Sequence, residues 1–144
     1  MEGIICETYP NFIYTLKAIT DDELNKCAKF RTKKRFPALT WSSKNNRGTL
    51  WRSSQNKTGV IQKRCTEDEK LLNYLQKTTQ KLHIYDARPY LNALANKMKG
   101  AGFENSLNYV NSHVFFCDID NIHAVRDSFE KVKTLSQLNL YHFI

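Results

Sequence analysis

Apolar residues recur three and four positions apart in four stretches of this chain, and four shorter apolar stretches lie between or beside them. The first pattern lays one apolar stripe along a helix, and the second suits strands. Leu24, Cys27 and Ala28 form the first stripe, and Leu71, Leu72 and Leu75 the second. Each follows a helix-start signature, Thr20-Asp-Asp-Glu23 and Thr66-Glu-Asp-Glu69. In such a capping box the Thr and Glu side chains satisfy amides that the first helical turn leaves open. A third stripe, Leu91, Leu94, Ala95 and Met98, begins after Pro89 and ends at Gly100. Proline suits the first helical turn, and glycine suits the residue past the last one. The fourth is Ile122, Val125, Phe129 and Val132, with Asp120 or Asn121 as its cap. The strand-like stretches are Pro37 to Trp41, Thr49 to Arg52, Leu82 to Tyr85 and Val114 to Ile119. Asn45-Asn46-Arg47-Gly48 supplies turn chemistry between the first two, which predicts a hairpin. The last, with few polar positions, reads as a buried strand.

Strand and helix alternate over the second half, which predicts an α/β layer with parallel strands. Ligands of such sheets bind beyond the carboxyl ends of the strands, near helix N-termini. That rule alone places Asp86, Arg88, Asp120, Asn121 and Ile122 at the functional edge.

The length of 144 residues fits one domain. No apolar run has the length of a membrane span, and the N-terminus has no secretory pattern. The Asn56-Lys57-Thr58 sequon is therefore not expected to carry a glycan. Four scattered cysteines fit reduced thiols. The net charge of +8 is unevenly placed. Twelve Lys and Arg residues lie between Lys26 and Arg64, with no Asp or Glu among them. Such a block suits a polyanionic partner, whether anionic lipid, phosphoinositide or nucleic acid, and equally a solvated basic face.

The candidate residues carry competing readings. Arg88 could bind a phosphate, but pairing with Asp86 to hold its loop is the favoured role. Asn121 is most simply a helix cap. Asn92 and Asn96 share a helical stripe beside the apolar one, and nothing in their position selects them. His123, next to a cap, reads as packed or hydrogen-bonded, and Cys117 as a small core residue. Arg31-Thr-Lys33-Lys34-Arg35 resembles a nuclear-import cluster, although such runs are common on solvated surfaces. Neither a zinc spacing nor a dinucleotide fingerprint is present, and no cofactor or metal is expected. The residues six positions after the four cysteines are Phe12, Lys33, Leu71 and His123, so no Cys-x5-Arg pair exists.

Several ordered segments point further. They are Cys6-Glu-Thr-Tyr-Pro10, Lys29-Phe30-Arg31, Arg35-Phe36-Pro37-Ala-Leu-Thr-Trp41, Arg52-Ser53-Ser54-Gln55 and Arg64-Cys65-Thr-Glu-Asp68-Glu69. The stretch from Ile84 to Ser128 follows, with Ala95-Asn96-Lys97 and Asn121-Ile122-His123 within it. Together these resemble the myotubularin family of phosphoinositide 3-phosphatases. The resemblance implies a partial α/β domain of the protein-tyrosine-phosphatase-like kind, a mixed sheet with a hairpin and strand-helix units. It would occupy residues 1–134, with a divergent tail at 135–144. It also implies headgroup contacts at Asn96, Asn121 and Ile122. The helix-edge rule supports the last two independently, whereas Asn96 rests on the family alone. By the same resemblance, the substrates are phosphatidylinositol 3-phosphate and the 3,5-bisphosphate. The nucleophile belongs to a His-Cys-Ser-Asp-Gly-Trp-Asp-Arg loop that this chain lacks. The expectations that follow are a headgroup-pocket fragment without turnover, cytoplasmic and peripheral on endosomal-type membranes, and association with itself or other myotubularins. An inactive regulatory partner of an active family member is the first alternative. A basic nucleic-acid-binding protein is the second, and the ordered motifs argue against it.

Overall fold

The computed structural model describes residues 5–79 and 81–140. Helix α1, Asp21–Phe30, starts from the first capping box as expected: Thr20 Oγ1 accepts the Glu23 amide, and the Glu23 carboxylate accepts the Thr20 amide. Helix α2 spans Thr66–Thr79. Here the second box does not form. The helix begins one residue early, with the Glu69 amide on the Cys65 carbonyl, and the Glu69 carboxylate turns back to Arg64 at 2.7 and 2.9 Å. A guanidinium five residues upstream has taken the group that the cap needed. Both predicted stripes are buried. Leu24, Cys27 and Ala28 of α1 meet Leu71, Leu72 and Leu75 of α2 in one core, together with Ile19, Phe36, Ala38 and Tyr109.

Strands β1 (Ala38–Ser42) and β2 (Thr49–Arg52) form the predicted antiparallel hairpin. Between α1 and β1 a short 3₁₀ turn, Thr32–Lys34, reverses the chain, with Lys33 and Lys34 both at positive φ. Non-glycine residues enter that region at a cost. Here it lets Arg31 and Phe36, on either side of the turn, both be buried.

Strands β3 (Leu82–Asp86) and β4 (Ser112–Phe116) pair in parallel, joined through helix α3, Tyr90–Met98. The α/β class and the parallel pair agree with the sequence. Leu82 and Ile84 alternate inward onto the core, while His83 and Tyr85 face out. In β4, Val114 and Phe116 are half-buried, and His113 and Phe115 are exposed.

The second half departs from expectation in burial. The strand predicted over Val114 to Ile119 ends at Phe116, and Cys117 and Ile119 are exposed rather than in the core. The α3 stripe exists, but Leu91, Leu94, Ala95 and Met98 all face outward, and Ala93 is the buried residue of that helix. Helix α4, Ile122–Leu140, runs past residue 134 without a break. Its stripe of Ile122, Val125, Phe129 and Val132 is exposed throughout. For the α3 and α4 stripes the cause is the same: the periodicity makes an apolar face, and no second layer among the described residues lies on it. Residues 1–4 and 141–144, which include the expected N-terminal start and the end of the 135–144 tail, lie outside the described residues.

Candidate functional site

The carboxyl ends of β3 and β4 lie side by side, with Asp86 opposite Phe116. Past β3 the chain turns at Asp86-Ala-Arg88 and enters α3 after Pro89. Arg88 takes the structural role. Its guanidinium holds both oxygens of Asp86, at 2.9 and 2.6 Å, and the Asp86 carboxylate also accepts the Arg88 amide. The same guanidinium donates to the Gly102 carbonyl at 3.0 Å and to the Gln55 side chain. A planar fork with five donors suits such a junction, and lysine could not replace it.

Past β4 the chain passes through Asp118 in left-handed backbone and enters α4. Asn121 is the cap. Its Oδ1 accepts the amides of His123 at 2.9 Å and Ala124 at 3.2 Å. The oxygen is committed to the helix, and the carboxamide NH₂ remains as the donor that a phosphate or hydroxyl could use. Asn121 and Ile122 stand together at the exposed N-terminus of a long helix, where the dipole favours an anion. His123 is exposed, not packed.

Asn96 lies elsewhere. It is six residues into α3, about 9 Å along the axis from the start of that helix. Its backbone oxygen accepts the amides of Lys99 and Ala101 where Gly100 (φ 87°) closes the helix. A cavity of about 460 Å³ lies near that end of α3, lined by Lys97, Phe103, Glu104, Ser112 and His113 among others. None of the three expected contact residues lines it.

The most developed chemistry in the chain was not legible as such. Arg31 is buried, and its Nε and Nη2 hold the two oxygens of Asp68 at 2.8 and 2.6 Å. Its Nη1 donates to Glu104 at 2.5 Å and to the Ser54 carbonyl at 3.0 Å. The Tyr109 hydroxyl completes the knot by donating to Asp68 at 2.9 Å. Burial works against the charge of Arg31, but the two carboxylates outweigh it and raise the guanidinium further. Burial, and then the charge of Asp68, push the Tyr109 phenol up as well, so it stays a donor. The solvated reading of the Arg31–Arg35 run thus fails at Arg31. The usable signal was an arginine directly after the apolar stripe of α1, where burial continues.

The two arginines share one task. Arg88 holds Gly102 and Gln55, and Arg31 holds Glu104 and Ser54, so the 102–104 loop is tied to the Ser54-Gln55 segment from both sides. Packing agrees: a Cβ on Gly102 would stand 1.8 Å from Thr58 Oγ1, so only glycine fits.

All four cysteines are free thiols. Cys27 is buried, and burial followed by the Asp68 charge pushes its thiol up to about 12. Burial raises Cys65 too. Asn56 of the sequon is fully buried, which closes it to glycosylation in the folded chain.

Comparison with known proteins supplies the family. The myotubularin-like phosphatase domain matches residues 2–141. The chain is 40% identical over 139 residues to the phosphatidylinositol-3,5-bisphosphate 3-phosphatase MTMR2 of Bos taurus, covering 94% of this chain and 22% of that protein. It is 39% identical to myotubularin of Xenopus laevis, with 94% and 23% covered. Against MTMR2 of Mus musculus the identity is 41% over 134 residues, with 91% and 21% covered. The chain therefore spans between a fifth and a quarter of the length of these relatives, and it belongs to the myotubularin-like phosphatase domain family.

Proposed function

We propose that this chain forms one wall of a phosphoinositide headgroup pocket in a 3-phosphatase domain, without the nucleophile that turnover requires. The observation that carries the reading is the exposed N-terminus of α4, where the Asn121 carboxamide caps with its oxygen and keeps its NH₂ for a ligand. The family supports it, since the relatives named as phosphatidylinositol-3,5-bisphosphate 3-phosphatases align with 91% to 94% of this chain. Asn121 and Ile122 would receive the anionic headgroup, and Asn96 joins them on the family resemblance alone. The ligand is phosphatidylinositol 3-phosphate or the 3,5-bisphosphate, presented on a cytoplasmic membrane surface. Self-association or association with another myotubularin belongs to the same reading. A thiolate displacement at phosphorus needs a low-pKa cysteine in a cradle of amides, with an arginine on the transferred oxygens. Cys27 and Cys65 are shifted away from thiolate, and no cysteine of the chain has an arginine six positions on.

Two measurements test this. Incubated with phosphatidylinositol 3-phosphate, the 144-residue chain releases no phosphate above a buffer blank. Release that disappears on substitution of any one cysteine overturns the inactive reading. In a longer protein that holds this segment and the Cys-x5-Arg loop, Asn121→Ser keeps a capping oxygen and removes the NH₂. The expected result is a lower kcat/KM on the lipid at an unchanged melting temperature. Full activity in that variant removes Asn121 from the pocket.

A further inference from the structure

The hairpin carries an irregularity with a consequence for its surface. Ala38 pairs with Arg52 and Leu39 with Trp51, but the next pair is Trp41 with Leu50, so Thr40 is an extra residue. Residues directly opposite one another share a face, and neighbours along a regular strand alternate between faces. Leu39 and Trp51 are both half-buried, and Trp51 packs on the buried cluster. Without the bulge Trp41 would share the face of Leu39. The extra residue moves Trp41 to the opposite face, beside Leu50, as bulges do when they re-aim a side chain. Trp41 is 57% exposed and Leu50 59%.

Next to this pair the turn is ordered by its own side chains. Ser43 Oγ accepts the amides of Asn45 and Asn46, Asn46 Oδ1 accepts the Gly48 amide, and the Ser43 amide closes on the Gly48 carbonyl. The charged residues of the turn are Lys44 and Arg47, both exposed. No acidic residue occurs anywhere from Lys26 to Arg64 to neutralise them. An indole and an isobutyl group side by side, next to two cations on a preorganised turn, match the interface of an anionic bilayer. Trp settles at the headgroup level, an aliphatic side chain enters the acyl boundary, and Lys and Arg take the phosphates. Nucleic acid would use the cations and the indole and leave Leu50 without a partner.

We propose that the β1–β2 hairpin is a bilayer-contacting loop, inserting Trp41 and Leu50 into an anionic membrane surface with Lys44 and Arg47 on the headgroups. This deepens the lipid reading above by naming the face that meets the membrane. It requires no headgroup pocket, so its test uses phosphatidylserine and no phosphoinositide, and the two proposals can fail separately.

The test is co-sedimentation of the 144-residue chain with phosphatidylcholine vesicles containing phosphatidylserine, and with phosphatidylcholine alone. Binding is expected to the first only. Trp41→Ser weakens it by roughly tenfold. Lys44→Glu and Arg47→Glu each weaken it about fivefold or more. Lys33→Glu and Lys34→Glu, exposed charges on the neighbouring turn, weaken it less. Circular dichroism confirms that each variant keeps its fold; these side chains are exposed. In a Trp51→Phe background, emission from Trp41 shifts to the blue on binding and is quenched by lipids brominated in the acyl chain. An indole that binds vesicles but is not quenched overturns the proposal. So does equal loss from the Lys33 and Lys34 changes, which would make the contact diffuse charge. A Trp41 response to a single-stranded oligonucleotide but not to vesicles overturns it in favour of nucleic acid. A Trp41→Ser change that alters only the oligomeric state overturns it in favour of a second copy.

Discussion

The segment from Ile19 to Leu75 and the segment from Leu82 to Leu140 carry apolar patterns of similar clarity, and they end in opposite states. In the first, the stripes of α1 and α2 close on each other and on Phe36 and Ala38. In the second, the stripes of α3 and α4 and the outer face of β3–β4 are open, with Tyr85 stacked on Phe115 at 5.3 Å in solvent. Periodicity fixes which side of an element is apolar, and only a partner turns that side into core. The difference therefore separates residues that hold this chain together from apolar residues that no other described residue covers.

The sharpest challenge to that division is Arg31→Met. Removing the guanidinium leaves Asp68 and Glu104 buried without a counter-charge, at a cost of about 3–5 kcal/mol. Urea unfolding followed by circular dichroism should show most of the stability gone. Arg126→Met on exposed α4 should move the midpoint by no more than about 0.5 kcal/mol. Equal effects would mean that the knot is not what joins the halves.

Leu71→Ala comes next. Leu71 is fully buried between the two helices, and its truncation should cost about 2–5 kcal/mol. Val132→Ala, on the open stripe of α4, should cost within about 0.5 kcal/mol. A large loss at Val132 would show that α4 is packed after all, and would break the comparison.

The smallest effect concerns pH. The hydrogen bond from Lys70, with help from the Thr20 amide, lowers the Glu23 carboxyl to about 2. A depressed folded value contributes stability above the unfolded value, and that contribution is lost as pH falls through the folded one. The melting temperature should therefore fall between about pH 4.5 and about pH 2, and fall less steeply in Glu23→Gln. A parallel pH dependence in the variant would remove this pair from the contacts that join α1 to α2.

The sequence made the elements legible because local chemistry decides them. Thr20 and Glu23 wrote a cap that forms, and Asn45 to Gly48 wrote a turn that forms. Thr66 and Glu69 wrote the same cap, and Arg64 defeated it. The arrangement at the sheet edge was also legible: Arg88 pairs with Asp86, and Asn121 caps α4. Long-range outcomes were not. The bulge at Thr40 depends on which face of β1 meets the core, and no local signal marks it. The fate of Arg31 depends on Asp68 and Glu104, which share no motif with it. Ser54 and Gln55 were visible as part of a family motif, and their work of receiving two arginines is a property of the folded chain.

The partners of Arg31 lie 37 and 73 positions further along the chain. Synthesis proceeds from the N-terminus, so α1 and the hairpin exist well before Glu104 does. Until then the guanidinium has at most one of its two carboxylates and stays open to water. Closing so long a loop is entropically slow. Glu104 is accordingly the group that completes the pairing of Arg31, and its arrival takes the second face of the guanidinium out of water.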